Sequence, residues 1–277
     1  MRIVVIGRTG FIAPHIVDRL CERGHDVVDD EGGVADAVVC VHAFTQEDAE
    51  AAVRLFRGRT GKLVVLSSGD VYRAYGVLKG IETRELEPVP ITEDSRLRTT
   101  LYPYRNDPKF ADYEKILVER TVMGASDLPT CILRLPAVYG PGDRHHRFGN
   151  WVKQMVDGSP MIQIGAGMAG WRWTHGYVEN VADAIVLAAT DRRTGGRIYN
   201  IGEEVVPTTR ERLEAFAQIF GWSGTVEVAP DDMPLDFRQD MAVSTARFRR
   251  ELGYADLISV EEAVSRTIAW ERSALTG

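Results

Sequence analysis

The opening of the chain constrains the fold more than any other stretch. Residues 2–6 form an apolar run that stops at Gly7, and a helical pattern follows from about Phe11 to Arg23, closed by Gly24. This is a strand-turn-helix opening. The turn Gly7-Arg8-Thr9-Gly10-Phe11-Ile12-Ala13 has small residues at its first, fourth and seventh positions. Gly7 and Gly10 let backbone come close to a pyrophosphate, and the helix N-terminus adds free N–H groups and positive dipole. Ala13 allows the helix to pack tightly on the strand. The glycines alone would also suit a tight turn, but their place after the first strand points to a dinucleotide site. The pattern predicts an α/β protein with a Rossmann-type doubly wound parallel sheet, its cofactor-binding residues being Gly7, Arg8, Thr9, Gly10, Phe11 and Ile12.

Further apolar runs continue the alternation. A short strand at 26–28 leads into an acidic turn, and a second run covers 37–41. A helix is expected over 46–57, a buried strand over 62–66, and another over 130–135. The segment from Arg73 to Asn106 carries charges and prolines with little periodicity, and reads as an excursion lining a site. Asp107-Pro108 looks like a cap followed by a first-turn proline, so a helix is expected from 108 to about Met123. A last helix is expected from about Val260 to Arg272. Without repeats or linkers, the chain reads as one interleaved architecture. Residues 1–140 would be mainly the dinucleotide-binding core, with returning segments near 176–203, and residues 141–277 mainly a smaller substrate-binding lobe.

Composition narrows the partners. The 277 residues are 44% hydrophobic, enough for a large core, and a formal charge of -7 argues against nucleic acid or an anionic membrane surface. No stretch approaches the roughly 18 to 20 apolar residues of a membrane span, and the start resembles a strand rather than a leader, so a cytoplasmic protein is expected. Cys21, Cys40 and Cys131 are odd in number and far apart, as suits buried structural thiols. His145-His146 has no further ligand at metal-binding spacing, so no metal site is expected. The expected partner is a small molecule.

Several later segments fall in one order and spacing: Leu66-Ser67-Ser68-Gly69-Asp70-Val71-Tyr72, then Arg134-Leu135-Pro136-Ala137-Val138-Tyr139-Gly140-Pro141-Gly142, then Gly176-Tyr177-Val178-Glu179-Asn180-Val181-Ala182. With Glu251-Leu252-Gly253-Tyr254 near the end, they resemble the extended short-chain dehydrogenases/reductases, the group of NAD-dependent nucleotide-sugar epimerases and dehydratases. The resemblance implies that Ser68 bonds a substrate oxygen and that Asp70 stands where dehydratases hold an acidic proton-transfer residue. It also implies a tyrosine four residues before a lysine, on one helical face. Here Tyr113 and Lys115 are only two apart, and Ala111 takes the tyrosine's place when Lys115 and Glu119 are aligned. Lys115 is then the ribose-binding lysine, Tyr113 is expected to turn away, and His175 or His42 become replacement acids or bases.

Too few residues lie between Gly24 and Ala37 for the group's usual strand, helix and strand, so the adenosine side should be trimmed. Asp29 or Asp30 would bond a ribose hydroxyl and favour NAD over NADP, whereas Arg8 would meet a 2'-phosphate. Tyr102, Tyr104, Arg105, Arg144 and Arg172 are expected around the substrate, together with His145, His146, Arg147, Trp171, Trp173 and His175, since arginines among aromatics suit a phosphorylated or carboxylated ligand. The expected activity is epimerase, dehydratase or reductase chemistry on a sugar nucleotide or other polar small molecule, by a homodimer paired through helices 46–57 and 108–123. The broken tyrosine spacing leaves a rival: a non-redox or cofactor-binding member of the fold, such as a lyase, cyclase, regulator or RNA-associated protein.

Overall fold

The computed structural model describes residues 1–28, 32–230 and 233–276. Strand β1 (Arg2–Ile6) is flanked by β2 (Asp26–Val28) on one side and β3 (Ala37–Cys40) on the other. Strands β4 (Leu63–Ser68) and β5 (Thr130–Leu135) follow outward from β3, all in parallel register. Parallel strands need helical crossovers on both faces, which explains the continuous apolar runs. Alternate residues serve opposite layers. Ile3, Val5, Val39, Val64 and Leu133 enter one core cluster, and Val4, Val38, Val65 and Ile132 the other.

Helix α1 (Ala13–Glu22) lies on the first layer and α2 (Gln46–Phe56) on the second. A short helix α3 (Arg73–Leu78) follows β4, and α4 (Lys115–Met123) packs beside α2. Beyond β5 come β6 (Ala137–Tyr139), α5 (Gly149–Val156), β7 (Met161–Gly165), α6 (Ala166–Gly170) and β8 (His175–Tyr177). Helix α7 (Val178–Thr190) returns to pack against α1, and β9 (Arg197–Asn200) closes the six-stranded sheet in the order β2-β1-β3-β4-β5-β9. The remainder is α8 (Thr209–Phe220), β10 (Thr225–Ala229), α9 (Ala246–Leu252) and α10 (Val260–Thr276). In this smaller lobe β6 pairs with β8 and β7 with β10.

The winding reverses between β1 and β3, so the crevice beyond the carboxyl ends of these strands is the switch point at which such sheets bind ligands. The trimming expected beyond β2 is present: β3 follows at Ala37 and pairs with β1, leaving β2 as the edge. Asp29 and Asp30 lie outside the described residues.

Two expectations need correction. Cys21 is exposed on α1, while Cys40 and Cys131 are buried; all three are free thiols. The helix expected from 108 begins at Lys115. The Asp107 side chain accepts from the Lys109 amide in a local turn, whereas Glu114 accepts from the Ile116 amide and is the actual cap. A buried ion pair fixes that start, because Arg98 reaches Glu114 at 3.1 Å with both side chains fully enclosed. The partner is sixteen residues away, beyond any local pattern.

Candidate active site

The loop from Gly7 to Ile12 joins β1 to α1 at the switch point. Gly7 has φ +84°, and a Cβ there would stand 2.5 Å from the His42 Cβ, so only glycine fits. At Gly10 an added Cβ would meet only the Gly7 carbonyl, 3.8 Å away, so that position faces open space. Helix α1 has no side-chain cap and no acidic residue in its first turn, which leaves its first N–H groups for an anion. Arg144 donates to the Thr9 carbonyl at 3.0 Å, and Phe11 packs near Gly142, so the loop after β6 braces the glycine turn. These residues fit a dinucleotide pyrophosphate: close backbone, an open helix end and no opposing carboxylate on that first turn.

Next to this loop, the end of β4 turns into a single 3₁₀ turn at Gly69–Val71, where the Ser68 hydroxyl accepts from the Asp70 amide. That turn points the Asp70 side chain inward, where it is 6% exposed. Tyr113 donates to Asp70 Oδ2 at 2.9 Å and Tyr104 at 3.2 Å, and Tyr104 meets the Tyr75 hydroxyl at 2.8 Å. The other oxygen, Oδ1, is buried without any hydrogen-bond partner among the described residues. Burial raises the Asp70 pKa above its ordinary value, opposed by Arg98 and by the two phenols. Burial and the Asp70 charge together hold the Tyr113 phenol well above its usual range, while Ser68 acts in the opposite sense.

Tyr113 therefore does not turn away. It precedes α4 rather than lying on it, so helical spacing does not govern its direction, and its ring packs on Phe44 and Tyr104 at the crevice. Lys115 stands below, its ammonium 5.7 Å from the Tyr113 ring and 4.9 Å from that of Phe44. It donates to the carbonyls of Ala43 (2.7 Å) and Leu66 (2.8 Å), and burial pulls its pKa down to about 8. Two of its three N–H groups are thus engaged, and one remains for a ribose hydroxyl.

Two chambers adjoin this cluster. The smaller, about 260 Å³, is lined by Ser68, Asp70, Tyr75, Tyr104, Arg147 and Trp173, among others. The larger, about 390 Å³, shares Arg147 and Trp173 and adds Phe148, Trp151, Trp171 and His175. Of the expected substrate contacts, Tyr104 lines the smaller chamber. Arg147, Trp171, Trp173 and His175 line the larger chamber, whereas Tyr102, Arg105, Arg144 and Arg172 line neither: Tyr102 lies beneath the Arg105 guanidinium, Arg144 holds the glycine loop, and Arg172 binds the Val206 carbonyl. Arg147, three residues after Arg144 and also expected near the substrate, takes the place at the junction of the two chambers.

His175 lines the larger chamber and is absent from the lining of the one holding Asp70. Its Nδ1 lies 2.7 Å from the Trp173 carbonyl, and burial with the nearby Arg212 and Arg147 charges pushes its pKa well below the ordinary value. A histidine held neutral cannot serve as an imidazolium acid there. His42 is exposed, packed between Gly7 and Phe44. Among the described residues no cluster of three or more His, Cys, Asp or Glu could hold a metal, and no helix is long and apolar enough to cross a membrane.

Comparison with known proteins agrees with this arrangement. The chain is 26% identical to the uncharacterized protein y4nL of Sinorhizobium fredii over 70% of its length and 63% of that protein's. It is 29% identical to a dTDP-glucose 4,6-dehydratase of Streptomyces griseus over 48% of this chain and 39% of the other. The shared stretches thus span about half the length of these relatives. A short-chain dehydrogenase/reductase superfamily protein of Agrobacterium tumefaciens, solved with bound NAD, superposes over 100% of this chain and 98% of its own, at a TM-score of 0.73 and 18% identity. The family description "NAD dependent epimerase/dehydratase family" matches residues 42–202, more than half of the chain. That match holds the Ser68–Asp70 turn, Tyr113, Lys115 and part of the lining of both chambers, including Arg147 and Trp173. The chain belongs to the NAD-dependent epimerase/dehydratase family.

Proposed function

We propose that this protein is a nicotinamide-dinucleotide-dependent enzyme of epimerase, dehydratase or reductase type, acting on a polar small molecule and using NAD in preference to NADP. The observation that carries this reading is the buried Asp70 carboxyl. It has one oxygen held by two phenols and the other buried without a partner among the described residues, and Asp70 lines a chamber beside the switch point.

The glycine loop and the first turn of α1 would hold the pyrophosphate, and the remaining Lys115 N–H a ribose hydroxyl. When bound, the nicotinamide supplies a hydride donor or acceptor. The chain's own residues handle the oxygen and the proton. Ser68, at the mouth of the smaller chamber, donates to a substrate oxygen. Asp70 takes or returns a proton through its free Oδ1, because burial keeps its two protonation states closer in energy near neutral pH than those of a solvated aspartate. Tyr113 and Tyr104 fix Asp70 through Oδ2. The Lys115 ammonium stands 5.7 Å from the Tyr113 ring. We also propose a homodimer paired through α2 and α4.

The reading is tested by denaturing freshly purified protein, weighing the released nucleotide, and titrating NAD and NADP into emptied protein by calorimetry. Binding of at least one, NAD more tightly, is expected. A folded protein that releases no dinucleotide and binds neither would overturn the reading in favour of a non-redox member of the fold.

A further inference from the structure

The larger chamber has a charge pattern that its neighbours do not share. Its walls are rings: Phe148 lies against Trp151 at 5.2 Å, Trp171 against Trp173 at 5.3 Å, and the neutral His175 meets Trp173 at 5.1 Å. Two arginines reach it, yet they are not equally free. Arg212 is held on both nitrogens by the buried Glu203, at 3.3 and 2.7 Å. Arg147 donates through Nε to the Val138 carbonyl, and the Asp143 carboxylate stands 3.7 Å away. No described residue hydrogen-bonds the two terminal nitrogens of Arg147, which sits at the junction with the chamber of Asp70. His145 stands exposed at the rim.

The lining therefore offers one available guanidinium, partly offset by Asp143. A diphosphate brings two or more negative charges, and enclosing it here would leave at least one desolvated without a partner. A single carboxylate matches the planar fork of Arg147, and flat apolar rings match the indole and phenyl walls. Building on the proposed enzymatic reading, which it narrows, we infer that the larger chamber receives the aromatic ring system of a monoanionic substrate. Its carboxylate lies on Arg147, and its reacting carbon extends into the smaller chamber toward Asp70. A nucleoside diphosphate is not the ligand of this chamber.

The test is calorimetry on the full chain, with and without saturating NAD, using 2-naphthoate, its neutral amide 2-naphthamide, and UDP. We expect 2-naphthoate to bind about tenfold more tightly than the amide and than UDP, the margin of one charge-assisted contact. In Arg147→Gln the acid should weaken by about tenfold while the amide changes by less than about threefold, so that the preference disappears. UDP binding as tightly as 2-naphthoate, no preference for the acid in the unaltered chain, or a preference that survives Arg147→Gln would each overturn the inference. The first two comparisons need no variant. The parallel NAD titration separates the two readings: a chain that binds NAD and rejects 2-naphthoate contradicts the substrate class alone, and one that rejects NAD contradicts the enzymatic reading.

Discussion

Burial pulls Asp70 in a direction that suits proton transfer and weakens the fold. Its carboxyl pKa is raised in the folded chain, so the stability it contributes is fully present below the unfolded value near 3.8 and is lost as pH rises through the folded pKa. Replacement by the neutral amide removes that penalty. Asp70→Asn should raise the Tm at neutral pH, with a gain that shrinks toward zero as pH falls below about 4, while turnover drops by about a hundredfold or more. Thermal scans across pH check the first half and steady-state rates on an identified substrate the second. Tyr113→Phe should also cost about a hundredfold, because the phenol donates directly to Asp70. A rate within tenfold of the unaltered enzyme would return Tyr113 to a packing role. The sequence marked Ser68, Asp70 and Lys115 because a resemblance carried them. It misdirected Tyr113, since two-residue spacing excludes a shared face only where both residues are helical.

Elements whose cause is local were legible before any coordinates. The β3, β4 and β5 runs are apolar because both sheet faces are covered, and the glycine turn announces itself by composition. The start of α4 was not, because Arg98 fixes it from a distant segment. Either partner alone is a buried, unpaired charge, so Arg98→Met should destabilise by about 3–5 kcal/mol, and adding Glu114→Gln should recover part of that loss. Denaturant titration of the two single variants and the double variant measures it; additive losses would contradict the pairing. The two glycines of the first turn should separate by mechanism. Gly7→Ala meets His42 and a left-handed backbone, and should cost about 1–3 kcal/mol of stability. Gly10→Val, facing open space, should keep the fold and abolish dinucleotide binding. Calorimetry on folded Gly10→Val decides it, and unchanged NAD affinity would remove the loop from the cofactor site.

At the scale of the whole molecule, one edge of the sheet is reduced to β2 and the other is extended by β9, which returns from the smaller lobe. The order of apolar runs pointed to the parallel sheet, and the short interval between β2 and β3 to the trimming. Which of the expected arginines reaches both chambers was left open, because it depends on how the loop after β6 folds against α5 and β8. The proposed dimer would pair two copies of α2 and α4; light scattering at high concentration should give twice the chain mass, and a monomer would contradict it. The central claim is that cofactor and proton-bearing residues meet in one crevice at the β1–β3 reversal. Deuterium exchange with and without saturating NAD tests it most directly. The account predicts slowed exchange in the loop from 8 to 12, after β3 near 42 to 45, and at the 66 to 70 turn, with the β7–β10 pair unchanged. NAD binding that leaves those three segments unprotected, or protects only the smaller lobe, would contradict it.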